Sequence, residues 1–288
     1  MTFRELFKYT AAGRVLMIPY RFGRIALPYA LRQLGLMARW AFTSKEYYNH
    51  SYHLTELNRR YLASFVSVVS GHSLAEIEKY LRELETDEAL RSALVERTRA
   101  SRDRHNCDEE PRFGRRLGWY ALVRATKPRI VVETGVDRGL GTVAIAAALR
   151  RNTDEGAPGL VFATDIVPEC GHLITADCKP CCRILLGDSV QSLQQFKEPV
   201  DLFLHDSDHR PEYEWAEFLA IEPRLHAGSL VLSDNSQQSP KLLEFAQRTG
   251  RSFLFFADVP QAHWWQGDGI GVAFLPGVRT CFQEGRRK

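Results

Sequence analysis

The chain has 288 residues, of which 44% are hydrophobic and 25% charged, with a net charge of +3. These values exclude a disordered or low-complexity chain, give no general basis for nucleic-acid binding, and suit one large domain or a medium domain with an appendage. No apolar run reaches the roughly 18 residues that cross a bilayer, and six cysteines in this length suit a reducing interior, so a cytoplasmic protein is expected.

The charge is unevenly spread. Residues 1–45 contain Arg4, Lys8, Arg14, Arg21, Arg24, Arg32, Arg39 and Lys45 against the single acid Glu5, giving +7 there and −4 in the remainder. Arg14, Arg21 and Arg24 interrupt what would be the apolar core of a secretory signal. The stretch 13–40 is basic and apolar, which suits an interfacial membrane anchor, an oligomer contact or a cover over an active site. Pro19 and Pro28 should break it, which weighs against one long membrane-surface helix and favours packing on the catalytic domain or on a second subunit of a homo-oligomer.

Further along, "SLAEIEKYLRELE" (73–85) opens with Ser73 and Glu76 in capping-box spacing and puts Leu74, Ile77, Leu81 and Leu84 on one face. Thr86 is expected to cap the next helix, and 97–114 to form a polar linker. Residues 1–110 therefore form an N-terminal helical region. Beyond it, apolar strands at 129–134, 159–164, 183–187, 200–205, 229–233, 252–256 and 269–275 alternate with helical patterns such as 141–151, 212–224 and 240–249. Such alternation predicts an α/β domain over 111–288, a doubly wound, Rossmann-like, mainly parallel seven-stranded sheet. The last two strands have no helix between them and should pair as an antiparallel hairpin.

The first strand runs into "VVETGVDRGLGT" (131–142), where Gly135, Gly139 and Gly141 permit a tight turn and close approach of a ligand. Asp137 stands where the dinucleotide fingerprint has its central glycine and would repel a pyrophosphate, while Glu133 suits a cationic ligand. Asp165 closes the second strand, where an acid accepts ribose hydroxyls, and Asp188 and Ser189 follow the third, within reach of an adenine edge. Three consecutive loops thus describe an adenosine site without a phosphate site, which points to S-adenosylmethionine.

Beyond the fourth strand come Asp206, Asp208 and His209, and beyond the fifth Asp234 and Asn235. Adjacent parallel strands bring their carboxyl ends together, so Asp206, Asp234 and Asn235 can offer oxygen ligands to Mg²⁺. His209 lies three residues past Asp206 and suits a general base near neutral pH. Asp208 either orients His209 or caps a helix, and His205 has no assigned role.

On these motifs, residues 117–276 resemble a class I S-adenosylmethionine-dependent methyltransferase, close in pattern to catechol O-methyltransferase and the bacterial metal-dependent O-methyltransferases of natural-product and sugar tailoring. The resemblance implies that Glu133 and the loop backbone hold the methionine amino end, Asp165 the ribose and Ser189 the adenine. It also implies that Asp206, Asp234 and Asn235 hold Mg²⁺ while His209 deprotonates the hydroxyl of a small sugar, polyketide-type or phenolic acceptor. The rival readings are a metal-dependent hydrolase using Asp206, Asp208, His209 and Asp234, and a non-catalytic interaction protein.

Two other features invite function. Cys170, Cys178, Cys181 and Cys182 crowd around His172, but the second knuckle of a zinc site is missing and free thiols are expected. Trp264 and Trp265 suit either an aromatic wall over a substrate or packing at a sheet edge.

Overall fold

A computed structural model describes Glu5, residues 9–47 and residues 51–278. It divides into two compact units, one of residues up to Lys45 together with Ala262–Trp265, the other of the remainder.

In the first unit, helix α1 (Ala11–Tyr20), a π-helical stretch (Arg21–Ala26) and helix α2 (Leu27–Thr43) follow one another without interruption. Thr10 opens the run, its hydroxyl accepting from the Gly13 N–H at 3.0 Å. The prolines do not break it, contrary to the sequence expectation. Pro19 lies inside α1 and Pro28 in the first turn of α2. Each lacks an N–H and crowds the carbonyl one turn back, and the wider π turns between them accommodate the misfit. Trp264 packs on Trp40 within this unit, the ring centroids 5.3 Å apart.

The second unit begins with helices α3 (Glu56–Ser70), α4 (Leu74–Glu85), α5 (Glu88–Ala100) and α6 (Arg116–Thr126). The capping box forms as expected, Ser73 and Glu76 each bonding the other's backbone. Thr86, expected to start α5, instead ends α4, its hydroxyl donating to the Arg82 carbonyl at 2.8 Å. Asp87 is the cap, its carboxylate accepting from the Leu90 N–H at 3.0 Å, as suits an anion at the positive end of a helix. The described residues between Glu46 and Glu110 fold with the sheet-bearing unit, and the two compact units part after Lys45.

All seven expected strands form: β1 (Ile130–Thr134), β2 (Leu160–Asp165), β3 (Cys182–Leu186), β4 (Val200–His205), β5 (Leu225–Asp234), β6 (Ser252–Ala257) and β7 (Gly269–Phe274). They are ordered β3-β2-β1-β4-β5-β7-β6. The first five are parallel, whereas β7 runs antiparallel between β5 and β6. Helices α7 (Leu140–Asp154), α8 (Ser189–Gln195), α9 (Pro211–Ile221) and α10 (Lys241–Arg248) make the crossovers. On one side of the sheet Phe203, Val231, Phe218 and Phe245 form a closed core, with Phe203 and Phe218 edge to face at 6.2 Å. Each such side chain contributes about 1.5–3 kcal/mol by burial, enough to fix the register that brings the carboxyl ends of β1, β4 and β5 side by side.

Candidate active site

The register explains the site. Thr134 pairs with His205, and His205 with Ser233, so the next residues, Gly135, Asp206 and Asp234, leave the sheet together. The Asp206 N–H continues the ladder by donating to the Thr134 carbonyl at 2.9 Å. Gly135 has φ +85°, and a Cβ on it would stand 2.0 Å from the Asp206 carbonyl oxygen. Gly139 has φ +96°, and its Cβ would stand 2.9 Å from the Gly171 Cα. Both glycines therefore make room for neighbouring backbone, whereas the sequence reading gave that room to a ligand.

Ligand atoms of Asp206, His209 and Asp234 lie within 4.8 Å of one another, the only such group among the described residues. Burial and the neighbouring Asp234 push the Asp206 carboxyl well above the usual carboxylate range. Asp234 stays below that range despite burial, because Arg115 pairs with it. The Arg115 Nε and Nη2 each donate to one Asp234 oxygen. Nη2 also meets the Asn235 Oδ1 at 3.2 Å, and Nη1 the Tyr52 hydroxyl at 2.8 Å and Asp268 at 3.3 Å. Tyr52 in turn donates to Asp258 at 2.6 Å, and burial raises the Asp258 carboxyl to about 6.

This departs from the expected ligand set. Asn235 turns its amide oxygen to Arg115 and its Nδ2 to the His209 Nε2 at 3.0 Å. Its φ of +57° is one that asparagine tolerates. His209 stands beside the carboxylates, its Nε2 3.9 Å from the Asp206 Oδ1. Burial lowers its pKa, which keeps the imidazole neutral at physiological pH, and its Nδ1 is buried without a partner. Asp208 is a half-buried loop residue paired with Arg210 at 2.6 Å and lies outside the convergent group.

Sequence reasoning missed Arg115 and Glu217. Arg115 sits at the end of the polar stretch taken as linker, where nothing marks it out. Glu217, fully buried, accepts from Thr134 at 2.7 Å, His205 at 2.6 Å, Ser207 at 2.6 Å and Ser189. This carboxylate gives His205 its role, tying the end of β4 to α9. A signal was readable: Glu214, Glu217, Phe218 and Ile221 share the buried face of α9, and acids on a core face require partners.

The expected cofactor residues divide. Glu133 is 1% exposed, its Oε2 has no partner, and burial pushes its carboxyl up to about 8. Asp165 accepts from the backbone N–H groups of Val136 at 3.0 Å, Asp137 at 2.8 Å and Val167 at 2.8 Å, so it fastens the glycine loop. Asp188 caps α8 through the Gln191 N–H and accepts from Tyr213 at 2.8 Å. Ser189 is 5% exposed, its hydroxyl given to Glu217. Both of these last two side chains hold structural bonds. Of the cysteines, Cys178, Cys181 and Cys182 are buried with thiols pushed up by burial, and none of the five described cysteines joins a metal-competent group.

Residues 132–236 match the family model of a methyltransferase domain. Among solved structures, the chain is similar to the O-methyltransferase TomG from Streptomyces achromogenes, involved in tomaymycin synthesis, in complex with S-adenosylmethionine. That match has 18% identity and a TM-score of 0.47 and covers 66% of this chain and 91% of that one. It is also similar to an O-methyltransferase from Bacillus cereus in complex with S-adenosylhomocysteine, with 16% identity and a TM-score of 0.43, over 75% of this chain and 97% of that one. No curated protein matches the sequence. The strand order and the glycine loop after β1 agree with the match of residues 132–236 to a methyltransferase domain.

Proposed function

We propose that this protein transfers a methyl group from S-adenosylmethionine to a hydroxyl oxygen of a small sugar, polyketide-type or phenolic acceptor, with Mg²⁺ at Asp206 and Asp234. The observation that carries the reading is the convergence of Asp206, Asp234 and His209 within 4.8 Å beyond the strand ends of a methyltransferase domain.

The residues fit both absent groups. Glu133 offers a buried carboxyl oxygen without a partner, the receptor that a cationic amino group needs. Two facing carboxylates, one forced towards protonation by the other, suit a hard divalent cation in place of the proton. Asn235 is the weaker of the expected ligands, since Arg115 already engages it. When bound, S-adenosylmethionine supplies an electrophilic methyl group, and Mg²⁺ supplies positive charge that acidifies a hydroxyl.

The chain's own residues do the rest. Glu133 anchors the amino end of the cofactor. Asp165 holds the glycine loop and retains acceptor capacity for ribose, because a carboxylate has about four lone-pair sites. Arg115 fixes the Asp234 carboxylate in one orientation. His209, neutral at physiological pH, takes the acceptor hydroxyl proton once the Asn235 amide yields its Nε2. Asp188 and Ser189 keep their structural bonds.

Radiolabelled methyl transfer across a panel of hydroxyl acceptors tests the reading, with and without a chelator. His209→Ala should retain cofactor binding in calorimetry and lose turnover by about 10²–10⁴-fold. Asp206→Ala should lose Mn²⁺ binding, read by the electron spin resonance of the free ion. Methyl transfer indifferent to the chelator would remove the metal from the mechanism.

A further inference from the structure

The prolines at 19 and 28 were the sequence's argument against a helix lying on a membrane, and the structure removes it: helix continues from Ala11 to Thr43. At 1.5 Å per residue such a run is about 50 Å long. Val15, Ile18, Phe22, Ile25, Leu34 and Phe42 along it are 58–90% exposed. So many large apolar side chains exposed along one helical run mark a contact surface and not ordinary exposure.

Its occupant is set by charge. Arg14, Arg21, Arg24, Arg32 and Arg39 are all exposed, and no aspartate or glutamate occurs from residue 9 to residue 45. Within α2, Leu27, Leu31, Leu34 and Phe42 share one side, and Arg32 and Arg39, seven residues apart, share another. A second copy of this helix brings no acid, so pairing through the apolar side would leave the arginines of both copies unmatched. An anionic lipid leaflet supplies the missing negative charge and an apolar layer beneath it. Arginine stems reach along apolar surface while their heads stay at the phosphates.

We propose that residues 11–43 dock the protein on an anionic membrane surface, the helix lying in the plane of the interface. It does not cross: among the described residues no helix is long and apolar enough.

Flotation of the full-length protein with vesicles of equal parts phosphatidylcholine and phosphatidylserine tests this, against vesicles of phosphatidylcholine alone. The protein should float with the anionic vesicles and much less with the neutral ones, and high salt should release it. Leu31→Glu with Leu34→Glu, both exposed on the apolar side, should leave the circular dichroism and urea midpoint unchanged and weaken partitioning about tenfold or more. Failure to float with anionic vesicles, or flotation indifferent to the double substitution, overturns the proposal. So does a dimer in light scattering that the double substitution turns into monomer, since the helix then belongs to a second copy.

Discussion

At the scale of single residues, two buried ionisable groups carry opposite consequences. Glu133 is held neutral near pH 7 by burial, its carboxyl pushed up to about 8. Binding a cationic amino group requires the carboxylate, so cofactor binding should release roughly one proton. Calorimetry in buffers of different ionisation enthalpy measures this directly. Heats independent of the buffer, or an unchanged affinity in Glu133→Gln, would take Glu133 out of the cofactor site. Arg115 is held charged by the acids around it, Asp234 above all. Arg115→Met keeps much of the volume and strands those carboxylates, which should cost about 3–5 kcal/mol in urea unfolding. Arg115→Lys should recover only part, since an ammonium cannot meet both Asp234 oxygens as the planar fork does.

At the scale of elements, the close crossing of the loops after β1 and β4 rests on Gly135. Gly135→Ala places a side chain at φ +85° and 2.0 Å from the Asp206 carbonyl. The backbone conformation alone costs about 1–2 kcal/mol, and relief of the clash must move Asp206. A larger loss in urea unfolding than for Gly156→Ala, whose φ is +84° with open space around it, would separate crowding from backbone strain. The strands were legible because each is an apolar run closed by turn residues, and the site acids because they follow two such runs directly. What stayed hidden depends on tertiary partners. Nothing local tells that Asp87 and not Thr86 begins α5, that π turns carry a helix through two prolines, or that Arg115 reaches Asp234. The structural bonds of Asp188 and Ser189 stayed hidden because turn chemistry and ligand chemistry use the same residue types.

At the scale of the whole molecule, the opposite end of the sheet has its own ionic fastening. Burial would raise the Asp201 carboxyl, but His226 at 3.0 Å and the backbone N–H groups of Ile130 and Arg129 outweigh it and hold it below the usual carboxylate range. A carboxyl lowered by folding stabilises fully above its unfolded pKa, and that contribution is lost as pH falls through the lower folded value. Urea midpoints should therefore drop as pH is taken below about 4, and Asp201→Asn should flatten that drop. The strand order carries a further consequence, in the time course of synthesis. β7, made after β6, lies inside the sheet between β5 and β6. Until the ribosome has released it, β5 presents an open hydrogen-bonding edge and β6 has no neighbour to join. Sheet closure thus waits for β7, and a chain cut short before Gly269 would expose that edge to other nascent copies, leaving aggregation or proteolysis as its fate.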